Sequence, residues 1–129
     1  MSGYTVKRFD EVADVLGDYP GEMRMLTSDL GNEQVAVTYR RMPARTGGKG
    51  SYGHFHHNQE EVYLVLEGTL LFKLDDEVIE VGPAAAVRVA PQTVRSIWNE
   101  GPDDAHLVIA STRLEGGDEG GKVPDFWPE

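Results

Sequence analysis

The chain has 129 residues, 40% of them hydrophobic, which suits a single domain with its own core. Its 22 acidic against 12 basic residues give a net charge of −10, so it lacks the basic footprint that nucleic acid or an anionic membrane surface requires. It has no cysteine, which excludes disulfides and thiolate metal sites and leaves imidazole and carboxylate as the metal donors.

Asp10 reads as the N-cap of a short helical turn over Glu11 to Leu16, stopped by Gly17. Met23 and Met25 alternate with Glu22 and Arg24, predicting a strand up to about Ser28. Asp29-Leu30-Gly31-Asn32 is turn chemistry. Val35, Val37 and Tyr39 alternate with Ala36, Thr38 and Arg40, predicting another strand that ends before Pro43. Thr46 to Ser51 is glycine-rich and reads as a flexible loop leading into a pair of histidines. Beyond them, Val62 to Leu66 is an apolar strand, Gly68-Thr69 a turn and Leu70 to Leu74 a further strand. Asp75-Asp76 turns that strand into a hairpin partner over Glu77 to Val81. Val87 to Ala90, Val94 to Trp98 and His106 to Thr112 complete the set. Roughly ten short strands with no internal repeat predict one all-β barrel or sandwich over residues 1–114. From Glu115 to Gly121 the chain is an acidic, glycine-rich linker. The apolar segment Val123 to Pro128 that follows is expected to dock on the barrel or on a second subunit.

The chemistry concentrates around His54 and His56. One residue apart on a strand, their imidazoles share a face, because strand side chains alternate with period two. Glu61 opens the next strand, and a hairpin would bring its carboxylate opposite the two rings. Two histidines and one carboxylate with open positions suit a divalent transition metal. The spacing Gly48, five residues, His54-x-His56, four residues, Glu61, six residues, Gly68 resembles the first conserved motif of the cupin family. That resemblance implies a cupin-type jelly-roll β-barrel and a homodimer. It also implies a divalent ion (Fe, Mn, Ni or Zn) held by His54, His56 and Glu61.

The family's second motif is kept only in part. Gly82, Pro91 and Asn99 stand in the right order, but eight residues separate Gly82 from Pro91, and Thr93 takes a glycine's place. Counting back from Asn99 places Arg95 where the fourth ligand, a histidine, is expected; counting forward from Pro91 places Ser96 there. Like unit charges about 4 Å apart cost on the order of 4 kcal/mol at an effective dielectric near 20, and a divalent ion doubles that. Arg95 therefore either swings aside, leaving a three-ligand site and a cation to hold a substrate's acid group, or pairs with Glu61 in a metal-free site.

Strand parity sorts the neighbours. Tyr63 and Val65 share Glu61's inward face, with Tyr63 lining a pocket or hydrogen-bonded in the core. Phe72 points inward with Leu70 and Leu74, as core or pocket wall. His57 and Glu60 fall on the outer face, Trp98 serves packing or a dimer contact, and His106, after two aspartates, reads as exposed. No acid occurs from Gln34 to Gln59, a window carrying Arg40, Arg41, Arg45 and Lys49. Those cations either draw a small anion to the site or pair with acids across strands.

The expectation is a metal-dependent enzyme, of dioxygenase or isomerase type, acting on a small and plausibly anionic organic molecule. The alternative is a non-catalytic or metal-free small-molecule-binding barrel in which Arg95 pairs with Glu61. No nucleic-acid or membrane partner is expected. With no basic-then-apolar leader and no apolar run near the ~20 residues of a membrane span, a cytoplasmic location is expected.

Overall fold

The computed structural model describes residues 3–114, 116–117 and 120–129. Of the expected linker, Glu115, Asp118 and Glu119 lie outside the described residues. Two antiparallel sheets make up the fold. One has the order β1 (Glu22–Met25), β2 (Val35–Met42), β10 (Ala105–Thr112), β5 (Glu61–Glu67) and β8 (Ala85–Val89). The other runs β11 (Gly121–Trp127), β4 (Ser51–Phe55), β9 (Arg95–Asn99), β6 (Leu70–Leu74) and β7 (Glu77–Val81), with β3 (Thr46–Gly47) paired to β9. The constant jumps between sheets are the jelly-roll pattern that the family resemblance implied, within the all-β barrel or sandwich that the spacing of short strands predicted.

The inward positions of the two sheets divide into a dry end and an open end. At the dry end Met42, Val65, Leu70, Phe72, Val89 and Leu107 are almost wholly buried and form one core. At the open end the same strands change character, β2 offering Ala36, Thr38 and Arg40 and β10 offering Ile109 and Ser111 to a cavity. Strand β2 therefore has two covered faces. Val37 and Tyr39 point outward, into a second small cluster with Val12 and Leu26.

That second cluster explains where the N-terminal third departs from expectation. The helical turn is a 3-10 turn over Phe9–Glu11, with Arg8 and not Asp10 at its N-cap. The chain beyond it is extended because the Asp14 carboxylate accepts the backbone N–H groups of Met23 and Leu16, each at 3.1 Å, and Asp14 bridges to Arg24. The strand expected to reach Ser28 ends at Met25, where helix α1 (Leu26–Leu30) begins. Leu26 is buried against the cluster, and Gly31, in the left-handed region at φ 76°, closes the helix. The amides of Gly31 and Asn32 return to Ser28 O and Thr27 O at 3.0 Å, so the expected turn is the one that ends this helix. His106, expected to be exposed, has a side chain only 27% accessible. Its Nδ1 lies 2.7 Å from the Tyr39 hydroxyl, beneath the Phe9 ring that stacks on Tyr39 at 4.5 Å.

The glycine-rich approach to the histidines is anchored. Thr46 is buried, with its hydroxyl donating to Pro43 O at 2.7 Å, and Gly48 N donates to Ile97 O at 2.8 Å. A Cβ at Gly48 would lie 1.8 Å from the Ser96 hydroxyl, so any other residue there would force Ser96 to turn aside. Gly68, the last glycine of the motif, sits at φ +78° with Asp104 O only 2.6 Å from where a Cβ would be. The apolar C-terminal stretch forms β11, paired to β4; Trp127 is buried and Phe126 covers Gly53, with Lys73 Nζ 3.8 Å from the Phe126 ring centroid.

Candidate metal centre

Strand β4 places His54 on the inner face, and His56 follows just past the strand's end, where its backbone N–H donates to Pro91 O at 2.8 Å. The two rings stand edge to face, with centroids 5.2 Å apart. Glu61 begins β5, but not as the second arm of a hairpin. β4 and β5 lie in opposite sheets, and residues 56–60 carry the chain across the barrel mouth. The carboxylate therefore meets the imidazoles across the interior. The pairing of β5 with β10 and β8 leaves no place for β4 beside it.

One donor atom from each of His54, His56 and Glu61 lies within 4.8 Å of the others. His54 Nε2 is 3.9 Å from Glu61 Oε1, and His56 Nε2 is 3.7 Å from Glu61 Oε2. Donors around an ion bound at about 2.0–2.2 Å stand roughly 3.0–3.5 Å apart, so the three side chains would have to close in on an ion to share it. The donor set thus fits a divalent transition metal with open coordination positions. The Tyr63 hydroxyl donates to Glu61 Oε1 at 2.8 Å, the outer-shell contact that fixes a ligating carboxylate. Burial raises the Glu61 pKa, but the nearby His54 ring, the bond from Tyr63 and the charge of Arg95 outweigh it, so the carboxyl is held below its ordinary range. Burial first, and Glu61 second, push the Tyr63 phenol far up, so it remains a donor.

Arg95 is wholly buried on β9, directly across from His54 in the sheet. Its Nη1 donates to Pro91 O at 3.0 Å and to Thr93 O at 2.9 Å, and its Nη2 to Ala90 O at 3.3 Å. Only Nε faces Glu61, 3.5 Å from Oε1, too long for a hydrogen bond. The guanidinium and carboxylate are therefore an ion pair without the two-pronged fork. Glu61 Oε2 is left to face His56.

The three donors line a cavity of about 630 Å³. Tyr63 and Arg95 are in its wall; Phe72 is not, because it packs beneath Tyr63 with ring centroids 5.3 Å apart. Sequence reasoning did not anticipate the other half of the wall. Tyr19 comes from the N-terminal segment, with Gly47 N donating to its hydroxyl at 2.8 Å, and Met23 and Met25 come from β1. Gln59 holds the mouth together by donating to Ser111 Oγ and Thr112 O, at 3.0 and 2.7 Å. Of the basic window, Arg41 pairs with Glu22 and Asp104 and Arg45 with Glu100, each between 3.1 and 3.2 Å. Arg40 lines the cavity. Outside the cavity, His57 and Glu60 are exposed, and Trp98 is half-buried, bonded through its indole N–H to Glu100.

Comparison with known proteins places this geometry. A stretch 40% identical over 58 residues, 45% of this chain, occurs in the uncharacterized protein MJ1618 of Methanocaldococcus jannaschii; the chain spans 46% of that relative's length. The polyketide cyclase RemF of Streptomyces resistomycificus shares the fold with a TM-score of 0.73 at 18% identity, over 95% of this chain and 87% of that one. A cupin-superfamily sugar phosphate isomerase from Silicibacter pomeroyi does so with a TM-score of 0.70 at 18% identity, over 85% of this chain and 76% of that one. At such identities these two likenesses show the fold alone. Residues 42–111 match the cupin domain family, a stretch that runs from the end of β2 into β10 and carries all three donors. The chain belongs to the cupin family.

Proposed function

We propose that this cupin holds one divalent transition ion (Fe, Mn, Ni or Zn) on His54, His56 and Glu61 and acts as a metal-dependent enzyme on a small organic molecule. The observation that carries this reading is the convergence of the three donors, within 4.8 Å of one another, on the wall of a 630 Å³ cavity. Such a volume suits a small-molecule site. When bound, the ion would act as a Lewis acid toward an oxygen atom of the substrate. The chain's own residues do the rest. Tyr63 holds Glu61 in place and, with His54 and the charge of Arg95, favours its ionised form; Arg95 is itself tied to three carbonyls. Arg95 also adds a positive charge where a fourth ligand would stand, so binding is weaker than a four-ligand site gives. Dioxygenase and isomerase chemistries both fit three protein ligands with open positions. The two structural relatives have different activities, and a shared fold does not choose between them.

A second reading is favoured by one observation, the 3.5 Å approach of Arg95 Nε to Glu61. In it the barrel binds its ligand without metal. Metal analysis of the purified protein before and after chelation, beside His54→Ala and Arg95→His, separates the two. The first reading expects wild-type protein to carry metal and His54→Ala to lose it. Metal-free wild type with metal gained by Arg95→His supports the second. The proposal includes a homodimer, as the family resemblance implies, in the cytoplasm; a sedimentation mass twice the 14.2 kDa of the chain tests the assembly.

A further inference from the structure

The cavity wall inverts the charge of the molecule. Against a net −10 for the whole chain, Glu61 is the only Asp or Glu among the described residues lining the cavity, and Arg40 and Arg95 line it too. The two cations differ in what they already hold. Arg95 has three carbonyls and Glu61. Arg40 makes no ion pair among the described residues, and its Nε is buried without a hydrogen-bond partner. After burial itself, the ionisable side chains acting most on it are the phenols Tyr19, Tyr63 and Tyr52, none of them a carboxylate. Arg40 is half-buried, and a partly desolvated guanidinium without a counter-charge has as its natural complement an anion from outside the chain. Strand parity aims Arg40 at the same cavity as the three donors, on the side of β2 opposite to Tyr39.

We propose that Arg40 is the anion-binding residue of this site, and that the molecule bound beside the metal-donor triad is a small carboxylic acid. The inference rests on the reading of the cavity as a small-molecule site but not on a bound metal. A planar carboxylate matches the guanidinium fork, which offers two parallel donors. The remainder of the wall, with Leu16, Met23, Met25, Ile97 and Ile109, suits an apolar body. The acid group seats on Arg40, and the body extends across the cavity toward His54, His56 and Glu61.

The test is calorimetric titration of benzoate, benzamide and inorganic phosphate into chelator-treated protein, repeated after adding Mn²⁺. Wild type binds benzoate with or without the ion, and benzamide at least tenfold more weakly. Arg40→Met weakens benzoate at least tenfold, Arg40→Lys weakens it less, and Arg45→Met, whose exposed head pairs with Glu100, leaves it unchanged. Should Arg40→Met not fold, Arg40→Lys against Arg40→Gln gives the same contrast of charge kept and charge lost. The inference falls if wild type binds no benzoate, if benzoate and benzamide bind alike, or if the Arg40 variants bind like wild type. Phosphate held through Arg40 more tightly than benzoate overturns the carboxylate assignment. Benzoate binding that needs Mn²⁺ and ignores Arg40 overturns the inference while supporting the metal centre. Binding through Arg40 in protein that takes up no metal does the reverse.

Discussion

Arg95 brings a full positive charge to a position with no solvent contact, and three backbone carbonyls from Ala90 to Thr93 are turned toward it. Removing one partner of such a buried set leaves the others uncompensated, at a cost of about 3–5 kcal/mol. Arg95→Met is therefore expected to lower the stability of the metal-free protein by that amount in urea titration, although the new side chain is apolar and of similar length. Tyr63 acts more locally, through its 2.8 Å bond to Glu61 Oε1. Tyr63→Phe keeps the ring that packs on Phe72 and loses only the hydroxyl. Metal affinity, measured by competition with a chelating dye, is expected to fall about 10–100-fold while the melting temperature changes little. The three donors were legible in the sequence because their spacing is rigid. How the fourth place is held was not, since a linear motif names Arg95 but not the carbonyls that Pro91 and Thr93 turn toward it.

Between elements, Glu22 ties β1 to β2: its carboxylate accepts from Arg24 Nε at 2.9 Å and from Arg41 Nε at 3.1 Å. These two bonds hold its pKa below the ordinary 4.5. A carboxyl depressed in the folded state contributes stability above its unfolded value, and that stability is lost as pH falls through the lower, folded value. Thermal melts between pH 6 and about pH 3 are therefore expected to show an acid-side loss that Glu22→Gln reduces. An unchanged acid limb in that variant would remove Glu22 from the account. The strand β2 also marks where pattern reading runs out. Its apolar set, Val35, Val37 and Tyr39, alternates with Ala36, Thr38 and Arg40, and it is Val37 and Tyr39 that pack outward under the N-terminal segment. The polar set, Ala36, Thr38 and Arg40, is the one facing the cavity. Alternation reports that two faces differ, not which of them is inside, when both are covered. The expected hairpin between the histidines and Glu61 failed for a related reason. A five-residue link can reverse a chain within one sheet or carry it across to the other, and local spacing is the same in both cases.

At the scale of the whole molecule, the jelly-roll assigns its two ends different work. Phe72, Leu70, Leu107 and Val65 close one end with apolar packing, and the other end is left open between the sheets. In a chain of net charge −10, an open end lined by two arginines, two histidines and one carboxylate is the place that suits the proposed small anion, while the protein as a whole repels polyanions. Fold, charge and cavity were each foreseeable from length, composition and motif. Which arginine faces the cavity was settled only by the register of β2 against β1 and β10. The central claim is that His54, His56 and Glu61 share one ion, and the most direct measurement is anomalous diffraction from crystals soaked in Mn²⁺ or Zn²⁺. The account predicts one strong peak within about 2.0–2.3 Å of both imidazole Nε2 atoms and the Glu61 carboxylate. No peak there, or a peak elsewhere with Arg95 closing on Glu61, would contradict it.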